Sequence, residues 1–270
     1  MTLLLSKGRK MIINDVVLLH GWGLNKAVWL DYLASLELRL PNIRFHLIDI
    51  PGYGELSHKD SSSDIQEITQ ECLNQAPEKA LWVGWSLGGM IALQAALTDL
   101  EGKSGNRVQA LQLINVAPKF VQSSDWASGV DIAIFDRFCA ELAKDYERAL
   151  GTFLLLQAGA AKGARALARD AQSAIEQYRR PSELTLRRGI ECLASVDLRG
   201  RIESLSLPTQ VVSGTLDRVT MPESCRLLSQ MMGAQLVEIK AGHAPFLTNI
   251  EFMLDNFDSF VNQVEIGNAP

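Results

Sequence analysis

The chain has 270 residues, 47% hydrophobic and 21% charged, a composition that suits one large globular domain with or without an insertion and excludes a disordered or collagen-like chain. Its 31 acidic residues outnumber 26 basic ones, giving a net charge of −5, which excludes a nucleic-acid binder held by counterion release. Four scattered cysteines (Cys72, Cys139, Cys192, Cys225) with no C-x-x-C pair argue against a zinc knuckle and a disulfide framework, and no apolar run approaches the ~18 residues of a membrane span.

Leu3-Leu4-Leu5 opens the chain, but Lys7, Arg9 and Lys10 follow it, the wrong order for a signal peptide. A cytoplasmic protein without nucleic-acid or membrane partners is expected. Short β-branched runs then alternate with helical spacing. Val16–Leu19, Phe45–Ile50, Leu81–Val83 and Leu111–Ile114 read as strands; Trp29–Leu40, Asp64–Asn74 and Met90–Leu97 read as helices. From about Phe120 to Ala194 the spacing is helical and no strand is predicted. Alternation resumes with Thr209–Val212 and Gln235–Ile239, and Phe252–Val261 closes the chain as a helix. This pattern predicts an α/β fold with a mostly parallel sheet, helices on both faces, and an all-helical lid inserted after a strand end. The expected segments are a core over 1–118, a lid over 119–194 and a second core segment over 195–270.

Gly84-Trp85-Ser86-Leu87-Gly88 is a G-x-S-x-G match followed by Gly89, set between a predicted strand and a predicted helix. So sharp a turn strains the central residue, needs small neighbours and lifts the serine oxygen clear of the sheet edge. A Gly-rich phosphate loop is the bland alternative, but the spacing fits neither G-x-x-x-x-G-K-[ST] nor G-x-G-x-x-G. Ser86 is therefore the candidate nucleophile, and it needs a base. His20 and His46 lie on or beside early strands and His58 in a polar loop, whereas His243 follows the last predicted strand. Asp217, after the Thr209–Val212 strand, is the candidate acid; capping of the next helix is its bland alternative. The other acid position, after Ile114, reads Asn115-Val116-Ala117-Pro118 and offers no carboxylate before Asp125. The order Ser86, Asp217, His243 is that of triads on this kind of sheet. The backbone N–H groups of Leu87 and of Trp22, in His20-Gly21-Trp22-Gly23, are the expected oxyanion donors, with His20 bracing that loop. This chemistry calls for no cofactor and no metal.

With Leu19-His20-Gly21-Trp22-Gly23, the G-W-S-L-G-G elbow, Asp217 and Ala241-Gly242-His243-Ala244-Pro245-Phe246 in place, the chain resembles the α/β-hydrolase superfamily. More narrowly it is similar to the family of pimeloyl-(acyl-carrier protein) methyl ester esterases of biotin synthesis, through His20–Asn25, Asp49–Gly54, Trp82–Gly89 and Phe153–Gln157. The resemblance implies a serine carboxylesterase that demethylates a pimeloyl chain on acyl carrier protein, with Trp22, Ser86, Leu87, Phe153, Leu154, Leu155, Leu156, Gln157 and His243 contacting substrate. A general carboxylesterase and a carbon–carbon bond hydrolase or menaquinone-pathway lyase stay open, because the triad sets the nucleophile and the lid sets the substrate. Between Lys162 and Arg188, seven basic residues face three acidic ones. Lys162, Arg165 and Arg169 share one helical stripe, which Arg148 can join, as a docking face for an acidic carrier; an ordinary solvated face is the alternative.

Overall fold

The computed structural model describes residues 12–102, 106–145, 148–149, 152 and 172–266. Six parallel strands form one sheet: β1 (Asp15–Leu19), β2 (Arg44–Ile48), β3 (Ala80–Trp85), β4 (Val108–Ile114), β5 (Thr209–Gly214) and β6 (Gln235–Ile239), in the order β2-β1-β3-β4-β5-β6. β1 is apolar after Asp15 because both of its faces are covered. Val17 and Leu19 pack with α2 (Ile65–Gln75) and α3 (Leu87–Leu100), while Val16 and Leu18 pack with α1 (Leu30–Arg39) and the closing helix described below.

Polar side chains cap the starts of three helices. Asp64 accepts the N–H of Gln66 at 2.8 Å ahead of α2, and Asp131 accepts those of Ala133 and Ile134 ahead of α4 (Ile132–Lys144). Ser182 accepts that of Thr185 ahead of α5 (Glu183–Ser195); such caps satisfy N–H groups that have no intrahelical acceptor. Between β4 and β5 the described residues contain helical segments and isolated bridges but no strand. The chain then runs through α6 (Arg199–Ile202), β5, α7 (Pro222–Met232), β6, α8 (Pro245–Thr248) and the closing helix α9 (Ile250–Ile266). Among the described residues no helix is long and apolar enough to cross a membrane.

From β1 the chain steps outward to β2, then returns across β1 to β3. That reversal is the switch point at which open parallel sheets bind ligands, beyond the carboxyl ends of the strands. The loop after β1 and the turn after β3 meet there.

Candidate active site

β3 runs straight into the elbow, two residues further than predicted, and Ser86 follows it with φ 55° and ψ −121°. The turn is possible because Gly84 and Gly88 carry no side chain. A Cβ on Gly84 would lie 2.4 Å from the Gly89 Cα, and one on Gly88 would lie 2.5 Å from the carbonyl oxygens of Leu19 and His20. Ser86 is nearly buried at 9% exposure, and its N–H donates to Ile114 O at 3.1 Å. Leu87 begins α3, where first-turn N–H groups lack intrahelical acceptors and the helix dipole favours negative charge.

The loop after β1 lies against this elbow: a Cβ on Gly21 would be 3.4 Å from that of Ser86. His20 is wholly buried; its Nδ1 donates to Gly21 O at 2.8 Å, and its Nε2 accepts the N–H of Ile50 at 3.0 Å. Both ring nitrogens are therefore occupied. Burial pushes its pKa down more than the Asp49 carboxylate, 3.8 Å away, raises it, so the ring is a neutral brace.

His243 and Asp217 meet across 26 residues of sequence, with His243 Nδ1 donating to Asp217 Oδ2 at 2.7 Å. Neither side chain is exposed. Asp217 Oδ1 accepts the N–H groups of Val219 and Thr220, at 2.7 and 3.1 Å. It does not cap α7, whose N-cap is Met221. With Nδ1 protonated, Nε2 carries the lone pair a general base needs. Among the described residues Nε2 has no hydrogen-bond partner, so the serine-to-imidazole bond expected from the sequence is not formed here; such bonds commonly tighten only around substrate. The two segments nevertheless touch, since the Trp85 ring packs 5.3 Å from that of His243 and its Nε1 donates to His243 O at 2.8 Å. The sequence matches the alpha/beta hydrolase family over residues 16–255.

The chain belongs to the α/β hydrolase family. This hydrolase is 34% identical over 251 residues to the pimeloyl-(acyl-carrier protein) methyl ester esterase of Vibrio vulnificus (strain CMCP6), an alignment spanning 92% of this chain and 94% of the relative. It is 37% identical over 240 residues to the protein of that name from Edwardsiella ictaluri (strain 93-146), covering 88% and 89%. Among solved structures, an esterase from Exiguobacterium antarcticum superposes with a TM-score of 0.77 at 23% identity, covering 93% and 92%; at that identity the likeness is one of fold.

Competing nucleophiles in this hydrolase are disarmed. Burial pushes the Cys225 thiol up to about 12, with the Asp217 charge adding to the effect, and burial also holds Cys192 at about 12. Among the described residues no His, Cys, Asp and Glu side chains are grouped to hold a metal ion. His46 and His58 lie elsewhere, on Asp15 and on the carbonyl of Glu55. Asp125 is exposed and paired with Arg199.

Three features were not read from the sequence. Asn115 joins the acid and base loops. The Trp22 indole donates to Leu186 O on α5 at 3.0 Å. A cavity of about 700 Å3 opens between α4 and α5, walled by Cys139, Leu142, Leu184, Leu186 and Ile190 among others. Of the expected substrate contacts, Phe153, Leu154, Leu155, Leu156 and Gln157 lie outside the described residues, as do Lys162, Arg165 and Arg169. Arg148 is exposed, its N–H donating to Asp145 Oδ1 at 3.1 Å.

Proposed function

We propose that this α/β hydrolase is a serine carboxylesterase that removes the methyl group from a pimeloyl chain on acyl carrier protein, through an acyl-enzyme on Ser86. The observation that carries the chemistry is the buried Asp217–His243 bond, which leaves Nε2 as the basic nitrogen on the loop bonded to the nucleophile elbow. Ser86 Oγ attacks the ester carbonyl as its proton passes to His243 Nε2, and Asp217 stabilises the imidazolium. The N–H groups of Leu87 and Trp22 receive the oxyanion. His243 then protonates the departing methoxide, and methanol leaves. Water, deprotonated by the same nitrogen, cleaves the acyl-enzyme to the free carboxylate and restores Ser86.

The substrate assignment rests on the pimeloyl esterase relatives, which align with this chain over about nine-tenths of its length. In this reading, residues 119–194 cover a core built from 1–118 and 195–270. Phe153–Gln157 line the acyl path, and Arg148, Lys162, Arg165 and Arg169 form the docking face for the acidic carrier in the cytoplasm. Rim charges of this kind raise encounter rates and add salt dependence more than they add affinity.

A side-by-side assay of methanol release from carrier-linked and free pimeloyl methyl esters tests the proposal, with Ser86→Ala as the control. The carrier-linked ester is expected to turn over with the higher kcat/KM, and Ser86→Ala to be inactive on both. Equal kcat/KM on the two esters would reduce the assignment to a general carboxylesterase, and a fully active Ser86→Ala would end the serine mechanism.

A further inference from the structure

The end of β4 touches all three segments of the candidate triad. Ile114 O accepts the N–H of Ser86. The next residue, Asn115, is completely buried and holds a left-handed backbone with φ 50°. Its Oδ1 accepts the N–H of Gly214 at 2.7 Å, and its Nδ2 donates to the carbonyls of Gly242 and His243 at 3.1 and 2.7 Å. Gly214 ends the acid-bearing strand, and its carbonyl accepts the N–H of Asp217 at 3.0 Å. Gly214 and the His243 loop approach so closely that a Cβ on Gly214 would lie 2.3 Å from Gly242 O. One planar amide thus ties the acid strand to the base loop, from the strand end that also holds the nucleophile.

We infer that Asn115 is a positioning residue for proton transfer between Ser86 and His243, an inference that rests on the triad reading above. The site requires one acceptor and two donors on a short, flat group, with a backbone in the left-handed region. Asparagine meets all of these conditions. An ionised aspartate has no donor and would set negative charge against two carbonyl oxygens. Asn115 itself contacts no reacting atom; it acts through the placement of His243 and Asp217, and misplacing a catalytic group by about 1 Å can cost about 100-fold in rate.

Gln112 supplies the control. It is buried on the same strand, and its amide bonds Gln210 Oε1 at 2.8 Å and Asn256 Oδ1 at 3.3 Å. Asn115→Gly removes the amide without straining the left-handed backbone, and Asn115→Asp keeps its shape but exchanges donors for acceptors. Steady-state kinetics on a soluble p-nitrophenyl ester, with Ser86→Ala and Gln112→Ala in parallel, separate placement from stability. Asn115→Gly is expected to lose about 10- to 100-fold in kcat with KM within about threefold, while Gln112→Ala keeps kcat within about twofold even as its Tm falls. The ratio of Asn115→Asp to wild-type kcat is expected to rise as pH is lowered. Once protonated, the introduced carboxyl can donate to His243 O and still accept from Gly214. That pH signature carries the test if Asn115→Gly does not fold. Wild-type kcat in Asn115→Gly, or kcat losses that simply track Tm across the Asn115 and Gln112 variants, would overturn the inference while leaving the triad intact. A fully active Ser86→Ala would remove the triad reading and this inference together.

Discussion

Two aspartate–histidine pairs sit on the same sheet, each closed by a 2.7 Å bond. Asp217–His243 lies beyond the carboxyl ends of the strands, with neither side chain exposed. Asp15–His46 lies near the amino ends, where the histidine side chain is 34% exposed. Bond length does not distinguish them; their surroundings do. Asp217 is held by two backbone N–H groups and His243, and the second nitrogen of His243 is unbonded among the described residues. Asp15 is gripped through both oxygens by the Arg44 guanidinium, and no serine elbow stands nearby. Arg44, foremost, holds the Asp15 carboxyl below its usual 3.8. On the triad reading, an aspartate–histidine pair serves a general base only where the far nitrogen is left unbonded, the carboxylate is fixed by neutral donors, and a hydroxyl can reach that nitrogen.

Breaking each pair in turn sharpens that contrast. His243→Ala is expected to lower kcat by on the order of a million-fold, whereas His46→Ala should leave ester hydrolysis within about twofold; comparable losses in both would erase the distinction. Asp217→Asn keeps the shape but disfavours the needed tautomer, for an expected loss of about 10,000-fold in kcat. Trp85→Phe keeps the ring packing and removes only the bond to His243 O, so a fall of about three- to tenfold in kcat is expected. Asp15→Asn should not change kcat and should lower Tm at neutral pH by less than about 3 °C.

The sign of the Asp15 effect with pH follows from its depressed pKa. Its pairing stabilises the fold above the unfolded value of 3.8 and is lost as pH falls through the lower folded value. Acid unfolding of wild type should therefore steepen below about pH 4, and Asp15→Asn should lack that component. Parallel acid-unfolding curves would contradict this assignment.

The sheet and elbow were legible because their constraints are local. β1 announces itself as an apolar run, Asp64 marks the start of α2, and the glycines around Ser86 fall where backbone meets backbone. Element ends were less legible: Gly84-Trp85 reads as loop in the motif yet continues β3, because the strand ladder with β4 extends to the pair Trp85 and Ile114. Chain order made Asp217 the candidate acid, but the direction of its side chain was not legible. An aspartate ahead of a helix looks the same whether it caps the helix or turns inward to a histidine 26 residues later. Asn115 was read only as an acid position lacking a carboxylate, and its bridging role was missed for a related reason. Its partners are backbone groups 99 to 128 residues away, and neither periodicity nor motif spacing registers contacts of that kind.

The fastening of α5 bears on protein engineering. Trp22 bonds Leu186 O, the Ser61 N–H donates to the Thr185 hydroxyl, and Arg188 reaches Ser61 O. A Cβ on Gly189 would collide with the Trp22 indole at 2.6 Å. A chimera that grafted a foreign specificity module between β4 and β5 would therefore disturb the loop carrying Trp22 unless the splice point lay ahead of residue 182. On the proposed lid reading, substrate range in this scaffold is best diversified upstream of that seam, leaving α5 as native anchorage.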